Sequence, residues 1–387
     1  MVIRFVVIRR NIMEPIEYQG TIEQFLCEKA TINHVPINAI LELTPLCNMN
    51  CDMCFVHLGV EEMKQKGRLR SAEEWIELGK EMKDAGTLFV LFTGGEPLLH
   101  PEFKKIYVVY KRMGMILTVN TNGTLIDEQW ADFFAEYPPR RINLTLYGKD
   151  EHTYQNLCHY PDGFGKALRA IQLLQERKVD VKVNGSITPE NVGDIEELFS
   201  IVDQMGAVWK FDTYMYPASR ERNHLFEEKS RLTPEEAAAA RVKLMEKRQG
   251  KEKFPDFVQH FLQQGESEPG EYTAGEVKCR AGRSSFMINW QGMMRPCVML
   301  SDPEEPVFDI GFAKAWERIT ERFGKVRLSA ECSACTMREV CQTCAACAVL
   351  ETGSFDRTPE YMCRYTKETL RLLREALKKE QEANADG

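Results

Sequence analysis

The chain has 387 residues, which is long enough for a large core and for more than one domain. Its formal net charge of −8 argues against a nucleic-acid-binding protein that depends on neutralising phosphates. No apolar run approaches the roughly 18–20 residues of a membrane-spanning helix. The opening MVIRFVVIRR is too short and too interrupted by arginine for a signal peptide, so we expect a cytoplasmic protein without a membrane partner.

Cysteine is the residue type that carries most information in this chain. There are 13 cysteines, and in a protein that is not secreted they indicate metal or cluster binding rather than disulfides. Three lie at 47–54 and eight at 279–363, whereas Cys27 and Cys158 stand apart. Cysteines of an ordinary core would not segregate in this way.

Residues 1–37 are a mixed lead-in, with a short helix predicted over 20–26. Strands and helices then alternate six times up to about residue 216, which predicts an α/β fold with a parallel sheet. Periodicity alone leaves a partial barrel and a flat doubly wound sheet open. The predicted strands are 37–44, 88–93, 115–120, 141–147, 180–187 and 208–214.

The first predicted strand runs into LELTPLCNMNCDMCF, residues 41–55, which holds Cys47, Cys51 and Cys54 in a C-x₃-C-x₂-C spacing. A loop at the carboxyl end of a strand in a parallel sheet is where active sites collect. Iron–sulfur clusters normally take four cysteines, so three ligands on a four-iron cube leave one iron open. A zinc knuckle remains the alternative, with His57 as the only nearby fourth ligand.

The second strand ends in FTGGEP, residues 92–97. Paired glycines let a backbone approach a ligand without a Cβ clash, and Glu96 can accept a hydrogen bond from an ammonium group. A plain turn between strand and helix explains the same residues.

The C-x₃-C-x₂-C motif followed one βα unit later by GGEP resembles the radical S-adenosylmethionine (radical SAM) enzymes. The resemblance implies a partial (β/α)₆ TIM-like barrel and a [4Fe-4S] cluster on Cys47, Cys51 and Cys54. Thr145 lies where many members of the family carry a serine that contacts the ribose of SAM. Here the segment reads Thr-Leu-Tyr-Gly instead of the family's S-L/I-D-G, so a threonine that only favours the sheet explains this position equally well. The residues that the resemblance implies for SAM binding are Phe55, Gly94, Gly95, Glu96, Pro97, Asn122, Thr145 and Ile187.

Residues 218–277 are polar and helical in character. Thr233-Pro234 starts a predicted helix. The stretch 251–275 is charged and contains glycine, and we predict that it is a linker.

From Cys279 onward the sequence is rich in cysteine. Residues 285–297 predict a β-hairpin with its turn at 289–292. Tight C-x₂-C steps follow, which fit metal clusters and also fit a pair of zinc ribbons.

The spacing Cys279-x₁₂-Gly292-x₄-Cys297, followed by Cys332-x₂-Cys335-x₅-Cys341, resembles the SPASM domain of peptide-modifying radical SAM enzymes. This resemblance implies two auxiliary [4Fe-4S] clusters. One is held by Cys332, Cys335, Cys341 and Cys363, and the other by Cys279, Cys297, Cys344 and Cys347. The family places a cysteine at 345, where this chain has Ala. If only one of Cys344 and Cys347 is a ligand, the latter cluster keeps an open iron.

The implied domains follow the motifs along the chain. They are a lead-in at 1–37, a radical SAM barrel at 38–220, a helical linker at 221–276, a cysteine-rich SPASM domain of hairpin and helices at 277–370, and a terminal helix and tail at 371–387.

The resemblance implies an oxidoreductase that cleaves SAM to a 5′-deoxyadenosyl radical and oxidatively modifies a peptide or protein side chain, for example by a cross-link or a thioether. It implies an external one-electron reductant such as flavodoxin or ferredoxin, and three clusters in all. The sequence identifies no catalytic side chain. A sulfatase-maturing enzyme that makes formylglycine is an alternative, but Val298 stands where that group usually has an acidic residue. A non-catalytic zinc or cluster scaffold is a further alternative.

Overall fold

The computed structural model describes residues 21–217, 220, 230–266 and 275–385. The first 20 residues of the predicted lead-in lie outside the described residues. The chain divides into two compact units. We call Phe25–Thr233 with Cys279–Val326 the sheet unit, and Met1–Gln24 with Pro234–Lys278 and Arg327–Gly387 the helical unit.

One sheet organises the sheet unit, and within the described residues it has nine strands in the order β6-β5-β4-β3-β2-β1-β7-β8-β9. Strands β1 to β6 run parallel in sequential order, which is the barrel-type winding rather than the reversing order of a doubly wound sheet. The barrel is not closed, because β6 and β9 are the two ends of the order. The strands are β1 Asn38–Glu42, β2 Phe89–Thr93, β3 Ile116–Thr121, β4 Arg141–Thr145, β5 Val181–Ser186, β6 Val208–Asp212, β7 Ser285–Ile288, β8 Met293–Arg295 and β9 Glu305–Pro306.

The six predicted parallel strands are confirmed, and most end earlier than predicted. The helix predicted over 20–26 exists and continues to Ile32. The helices of this part of the chain are α1 Thr21–Ile32, α2 Val60–Lys66, α3 Ala72–Asp84, α4 Phe103–Arg112, α5 Glu128–Glu136, α6 Glu151–Cys158, α7 Gly163–Glu176, α8 Ile195–Gln204, α11 Val307–Ile310 and α12 Phe312–Gly324.

The amphipathic helices cover one face of the sheet. Phe92 of β2 lies 5.3 Å from Tyr110 of α4, ring centre to ring centre, and Phe211 of β6 lies 5.8 Å from Phe199 of α8. Since neighbouring residues of a strand point to opposite faces, Thr93 and Asp212 point away from these helices. We call this opposite face the inner face of the sheet.

The predicted hairpin is confirmed and joins the same sheet. Its turn is held by Asn289, whose Oδ1 accepts hydrogen bonds from Gln291 N at 3.1 Å and Met293 N at 2.8 Å, and Gly292 there has φ of 90°. Strand β7 pairs in parallel with β1, with Asn38 opposite Ser285. The hairpin therefore belongs to the sheet unit, while the boundaries of the predicted functional domains stay a prediction.

The helical unit is built on α9 and α15 with a shared apolar core. The predicted linker at 251–275 is wrong over 254–266, which forms a helix. Phe254, Val258, Phe261 and Leu262 recur at helical spacing and are buried against Leu373. The helices of the unit are α9 Pro234–Gln249, α10 Phe254–Glu266, α13 Ala330–Ser333, α14 Ala345–Thr352 and α15 Glu360–Ala385. None of the helices that the structure describes is long and apolar enough to cross a membrane.

Candidate active site

The loop that holds Cys47, Cys51 and Cys54 lies beside the loop that follows β2. Strands β1 and β2 pair in register as far as Glu42 and Thr93, so the residues that follow also lie side by side. Gly95 N donates to Thr44 O at 2.8 Å, and Glu96 N donates to Leu46 O at 2.8 Å. The two sequence motifs are therefore joined by main-chain hydrogen bonds.

The paired glycines are required by this close approach. A Cβ atom on Gly94 would lie 2.5 Å from Thr44 O, and one on Gly95 would lie 2.5 Å from Leu46 O. Real Cβ atoms do not approach a backbone oxygen so closely, so a larger residue would push the cysteine loop away. The glycines thus position the cysteines, which is an additional role to the predicted contact with SAM.

The cysteine loop is also anchored on α6. Asn50 N donates to Cys158 O at 3.0 Å, and Asp52 N donates to Leu157 O at 3.0 Å. These two bonds flank Cys51 and bring its side chain to the end of the helix. His57, the candidate zinc ligand, lies with Nδ1 3.1 Å from Asn50 Oδ1.

N–H groups point at two of the three sulfur atoms. Met49 N lies 3.4 Å from Cys47 Sγ, and His57 N lies 3.3 Å from Cys54 Sγ. The side-chain amide of Asn122 is a further donor, with Nδ2 at 3.6 Å from Cys47 Sγ. Hydrogen bonds to cysteine sulfur are a common feature of iron–sulfur sites, where they tune the reduction potential.

This donor set fits an iron–sulfur cluster: three thiols lie on one loop, and N–H groups are directed at the sulfur atoms of Cys47 and Cys54. Among the described residues, no three Cys, His, Asp or Glu side chains converge with the geometry of a metal-ion site. The assignment of Cys47, Cys51 and Cys54 as ligands therefore stays a prediction.

Cys158 is a neighbour of the site that the sequence did not reveal. Its thiol is fully buried at the end of α6. A hydrogen bond with Cys158, together with burial, raises the pKa of Cys51 well above the usual range of a thiol. No spacing motif links position 158 to 51, so only the fold brings the two together.

Glu96 connects the loop after β2 to the loop after β3. It is fully buried, and its carboxyl group accepts hydrogen bonds from Thr121 Oγ1 at 2.9 Å, Asn122 N at 2.8 Å and Leu98 N at 3.1 Å. Burial raises the pKa of Glu96 to about 7, against the opposing effect of these donors. Pro97 follows at the first position of a short 3₁₀ turn that Glu96 caps.

The inner face of the sheet carries a row of polar side chains that starts at the last residues of β1 and β2 and reaches the second residue of β5. The register places Glu42 beside Thr93 and Asn120 beside Asn143, with Lys182 next in line. Asn143 Nδ2 donates to Asn120 Oδ1 at 2.8 Å. We call Glu42, Thr93, Asn120, Asn143 and Lys182 the inner row.

Two predicted SAM residues, Thr145 and Ile187, lie at the carboxyl ends of β4 and β5. Thr145 lies opposite Asn184 in the register, and Ile187 is buried with its N–H donating to Asp212 O at 2.8 Å. The Oδ1 atoms of Asn143 and Asn184 are buried and have no hydrogen-bond partner among the described residues.

Phe55 contacts a buried ion pair. The guanidinium of Arg220 lies 5.4 Å from the centre of the Phe55 ring. It also binds the Glu42 carboxylate at 2.8 Å, and both charged side chains are fully buried. Sequence analysis missed Arg220, because a lone arginine in a polar stretch carries no pattern.

Four cysteines of the helical unit lie close enough to affect one another. Burial and the neighbouring thiols of Cys341, Cys332 and Cys335 together raise the pKa of Cys363 to about 11. These are the four that were predicted to share one auxiliary cluster. In the same unit, Cys344 caps α14 by accepting from Cys347 N at 3.4 Å.

The other predicted set is divided between the two units. Cys279 and Cys297 lie in the sheet unit, and Cys344 and Cys347 lie in the helical unit. All 13 cysteines lie in the part of the chain that the structure describes, and none of them is in a disulfide. The ligands of this auxiliary cluster stay a prediction.

Comparisons with known proteins agree with this architecture. A family model described as the Radical SAM superfamily matches residues 41–202. The chain is 24% identical to the AdoMet-dependent heme synthase of Methanosarcina barkeri, over 84% of this chain and 95% of that protein. It is also 24% identical to the antilisterial bacteriocin subtilosin biosynthesis protein AlbA of Bacillus subtilis, over 77% of this chain and 65% of that protein.

Among solved structures, Streptococcus suis SuiB bound to its precursor peptide SuiA has the same fold. The TM-score is 0.66 at 15% identity, and the match covers 90% of this chain and 83% of SuiB.

Proposed function

Because this chain is a radical SAM enzyme, we propose that it oxidatively modifies a side chain of a peptide or protein. Cys47, Cys51 and Cys54 hold the [4Fe-4S] cluster that binds SAM, and an external one-electron donor such as flavodoxin or ferredoxin reduces it. When bound and reduced, this cluster supplies the electron that cleaves SAM to the radical which abstracts hydrogen from the substrate. Cys332, Cys335, Cys341 and Cys363 would hold one auxiliary cluster, and Cys279, Cys297, Cys344 and Cys347 would hold the other. When bound, these clusters would provide an acceptor for the electron that the oxidised substrate releases.

The chain's own residues hold the reactants in place. The loop of Gly94, Gly95 and Glu96 lies against the cysteine loop and orients the amino end of SAM. Thr145 and Ile187 lie at the ends of β4 and β5, where they contact the nucleoside part. A radical of this reactivity requires that water be kept from the site.

The observation that carries the peptide assignment is the pair of buried acceptors on the inner face. Asn143 Oδ1 and Asn184 Oδ1 are buried without a hydrogen-bond partner among the described residues. An unsatisfied buried acceptor costs about 1–3 kcal/mol, which a substrate with N–H donors recovers on binding. The main chain of a peptide offers such donors at regular spacing.

The test uses the anaerobic holoenzyme with SAM, a reductant and the short peptides encoded beside its gene. We expect 5′-deoxyadenosine and a peptide that has lost two hydrogen atoms. Asn143→Leu and Asn184→Leu should raise the KM for that peptide more than they lower kcat. If no such peptide changes in mass and none stimulates 5′-deoxyadenosine formation, the proposal is wrong.

A tetrapyrrole substrate is the second candidate. The similarity to the heme synthase extends over most of both chains, which favours it. Lys182 lies beside Asn143 in the inner row and is 9% exposed, so a cation stands where a carboxylate of a porphyrin could bind.

The two candidates separate in one assay. With an iron porphyrin in place of the peptide, the second candidate predicts formation of 5′-deoxyadenosine and a change in the mass of the porphyrin. Lys182→Met should abolish this reaction and leave a peptide reaction largely intact. The sulfatase-maturing alternative predicts formylglycine in a co-expressed sulfatase.

A further inference from the structure

We infer that Asn122 is a positioning residue that donates a hydrogen bond to the Cys47 sulfur and thereby raises the reduction potential of the SAM-binding cluster. This inference rests on the proposed function, because it requires the cluster on Cys47. It gives the side-chain amide of Asn122 a role other than the SAM contact expected from the sequence.

The contacts of Asn122 define the orientation of its amide. Oδ1 accepts from Thr124 N at 2.9 Å and from Thr124 Oγ1 at 2.7 Å. A main-chain N–H can only donate, so the atom that faces it must be the oxygen. The Nδ2 group therefore faces Asn48 Oδ1, at 2.9 Å, and Cys47 Sγ, at 3.6 Å.

The amide is held rigidly by neighbours on two loops. Asn48 Nδ2 donates to Thr124 Oγ1 at 2.8 Å, which closes a ring of hydrogen bonds between the cysteine loop and the loop after β3. The main-chain N–H of Asn122 is fixed by the buried Glu96 carboxylate at 2.8 Å. Asn122 itself is 6% exposed, so water competes little for its donors.

The effect on the cluster follows from charge. Reduction adds negative charge, part of which resides on the cysteine sulfur atoms, and an N–H dipole aimed at sulfur stabilises that charge. The reduction potential of a cluster therefore rises with each such bond. The bonds from Met49 N and His57 N are main-chain bonds that substitution of those side chains would not remove. Asn122 is the donor that a side-chain substitution can remove.

The test is a redox titration of the full-length holoenzyme. The EPR signal that changes when SAM is added reports the cluster on Cys47, and its intensity is followed against the applied potential. Asn122→Leu keeps the size of the side chain and removes the donor. We expect about a tenfold fall in the ratio of reduced to oxidised cluster at a fixed potential, which is ~59 mV for a one-electron couple.

Thr124→Val is the matched control. It removes the Oγ1 atom that donates to Asn122 Oδ1 and accepts from Asn48 Nδ2, but it keeps the Thr124 N–H that orients the amide and the Asn122 Nδ2 group that faces Cys47. We expect its midpoint to lie close to that of the unsubstituted enzyme. If Asn122→Leu loses iron, Asn122→Ser replaces it, because the shorter side chain does not reach the sulfur and should lower the midpoint in the same way.

The outcomes distinguish a failure of the proposed function from a failure of the role inferred for Asn122. An unsubstituted enzyme without a SAM-responsive signal contradicts the proposed function. A SAM-responsive signal with an unchanged midpoint in both Asn122 variants, at full iron and sulfide content, overturns this inference alone. An equal fall in Thr124→Val would also overturn it, since that variant retains the donor.

Discussion

The buried carboxyl group of Glu96 accepts a hydrogen bond from the main-chain N–H of Asn122 at 2.8 Å and so joins the ends of two adjacent strands. Thr121 Oγ1 binds the same carboxyl group at 2.9 Å. The glutamate of the GGEP motif is therefore a structural link between loops as well as a candidate contact for SAM. Its burial has a measurable effect on stability.

Stability should depend on pH through Glu96. Burial raises its pKa from 4.5 to about 7, so the folded state binds a proton more tightly than the unfolded state. The free energy of unfolding should therefore fall as pH rises from about 4.5 to 7, by about 3 kcal/mol, and should level off above that. Glu96→Gln mimics the neutral form and should be more stable than the unsubstituted protein at pH 8, by up to the same amount.

Urea unfolding between pH 5 and 8 measures this effect. The difference between Glu96→Gln and the unsubstituted protein should shrink toward zero at low pH. A difference that is constant across the range would show that the carboxyl group is ionised in the fold throughout.

The close approach at Gly95 predicts a large effect of a single methyl group. In Gly95→Ala the new Cβ would lie 2.5 Å from Leu46 O, next to Cys47. We expect a loss of about 1–3 kcal/mol in the free energy of unfolding and a lower iron and sulfide content, because the cysteine loop must move. Gly193→Ala is the control, since its Cβ would have no atom within 4 Å. Equal iron contents in the two variants would contradict the prediction.

Cys51 and Cys158 are in contact, but only Cys51 belongs to the predicted cluster motif, so we expect only Cys51 to bind iron. Cys158→Ala should keep the iron and labile sulfide of the unsubstituted protein, because Cys158 belongs to none of the predicted ligand sets. Cys51→Ala should lose about four iron atoms per chain, the content of one cluster. Analysis of iron and sulfide in anaerobically reconstituted protein measures both. Iron loss in Cys158→Ala would instead make this thiol a fourth ligand.

The four neighbouring thiols of the helical unit predict a separate loss. Cys341→Ala should remove about four iron atoms per chain without changing the EPR signal that responds to SAM. Cys27→Ala is the matched control, because Cys27 is buried and lies outside every predicted set. A full iron content in Cys341→Ala would remove Cys341 from the proposed ligands.

Helix α10, in the segment predicted to be a linker, contributes to the core of the helical unit, so substitutions of its buried residues should lower the free energy of unfolding. Phe261 is 1% exposed and has the Arg241 guanidinium 5.6 Å from its ring centre. Phe261→Ala should cost about 3–5 kcal/mol by chemical denaturation, as for other buried phenylalanines. Gln263→Ala on the exposed side of the same helix should cost less than about 0.5 kcal/mol. Similar costs for both would mean that α10 does not form this core.

The strands were predictable because each of them is buried and therefore forms an apolar run of its own in the sequence. The runs 88–93 and 115–120 are mostly apolar; the first is followed by glycine and the second ends in asparagine, so each strand can be recognised without its neighbours. The hairpin was predictable for a similar local reason, since the Asn289 side chain accepts hydrogen bonds from the turn and Gly292 adopts the positive φ that the turn needs. The segment 254–266 was missed because charged residues and glycines around it obscured four apolar residues at helical spacing.

The site was predictable only as far as its motifs reach. The three cysteines and the GGEP motif can be recognised from their spacing, but the hydrogen bonds between their loops depend on the pairing of β1 with β2. Cys158, Arg220 and the inner row have no spacing signal, because they come together across strands and helices far apart in the chain. The sequence also assigned the glycines to a ligand, whereas their nearest neighbours are the carbonyl groups of the cysteine loop.

Strand β1, which leads into the three cysteines, has β2 on one side and β7 on the other, with Asn38 opposite Ser285. Its second edge is satisfied only by a segment made much later during synthesis. Such long-range pairing is slow to form, because a large loop must close before its hydrogen bonds are gained. During synthesis, the side of β1 that pairs with β7 therefore stays unpaired until the hairpin has been made. Assembly machinery that delivers iron and sulfide would therefore meet a settled cysteine loop only after Ser285–Ile288 have been made.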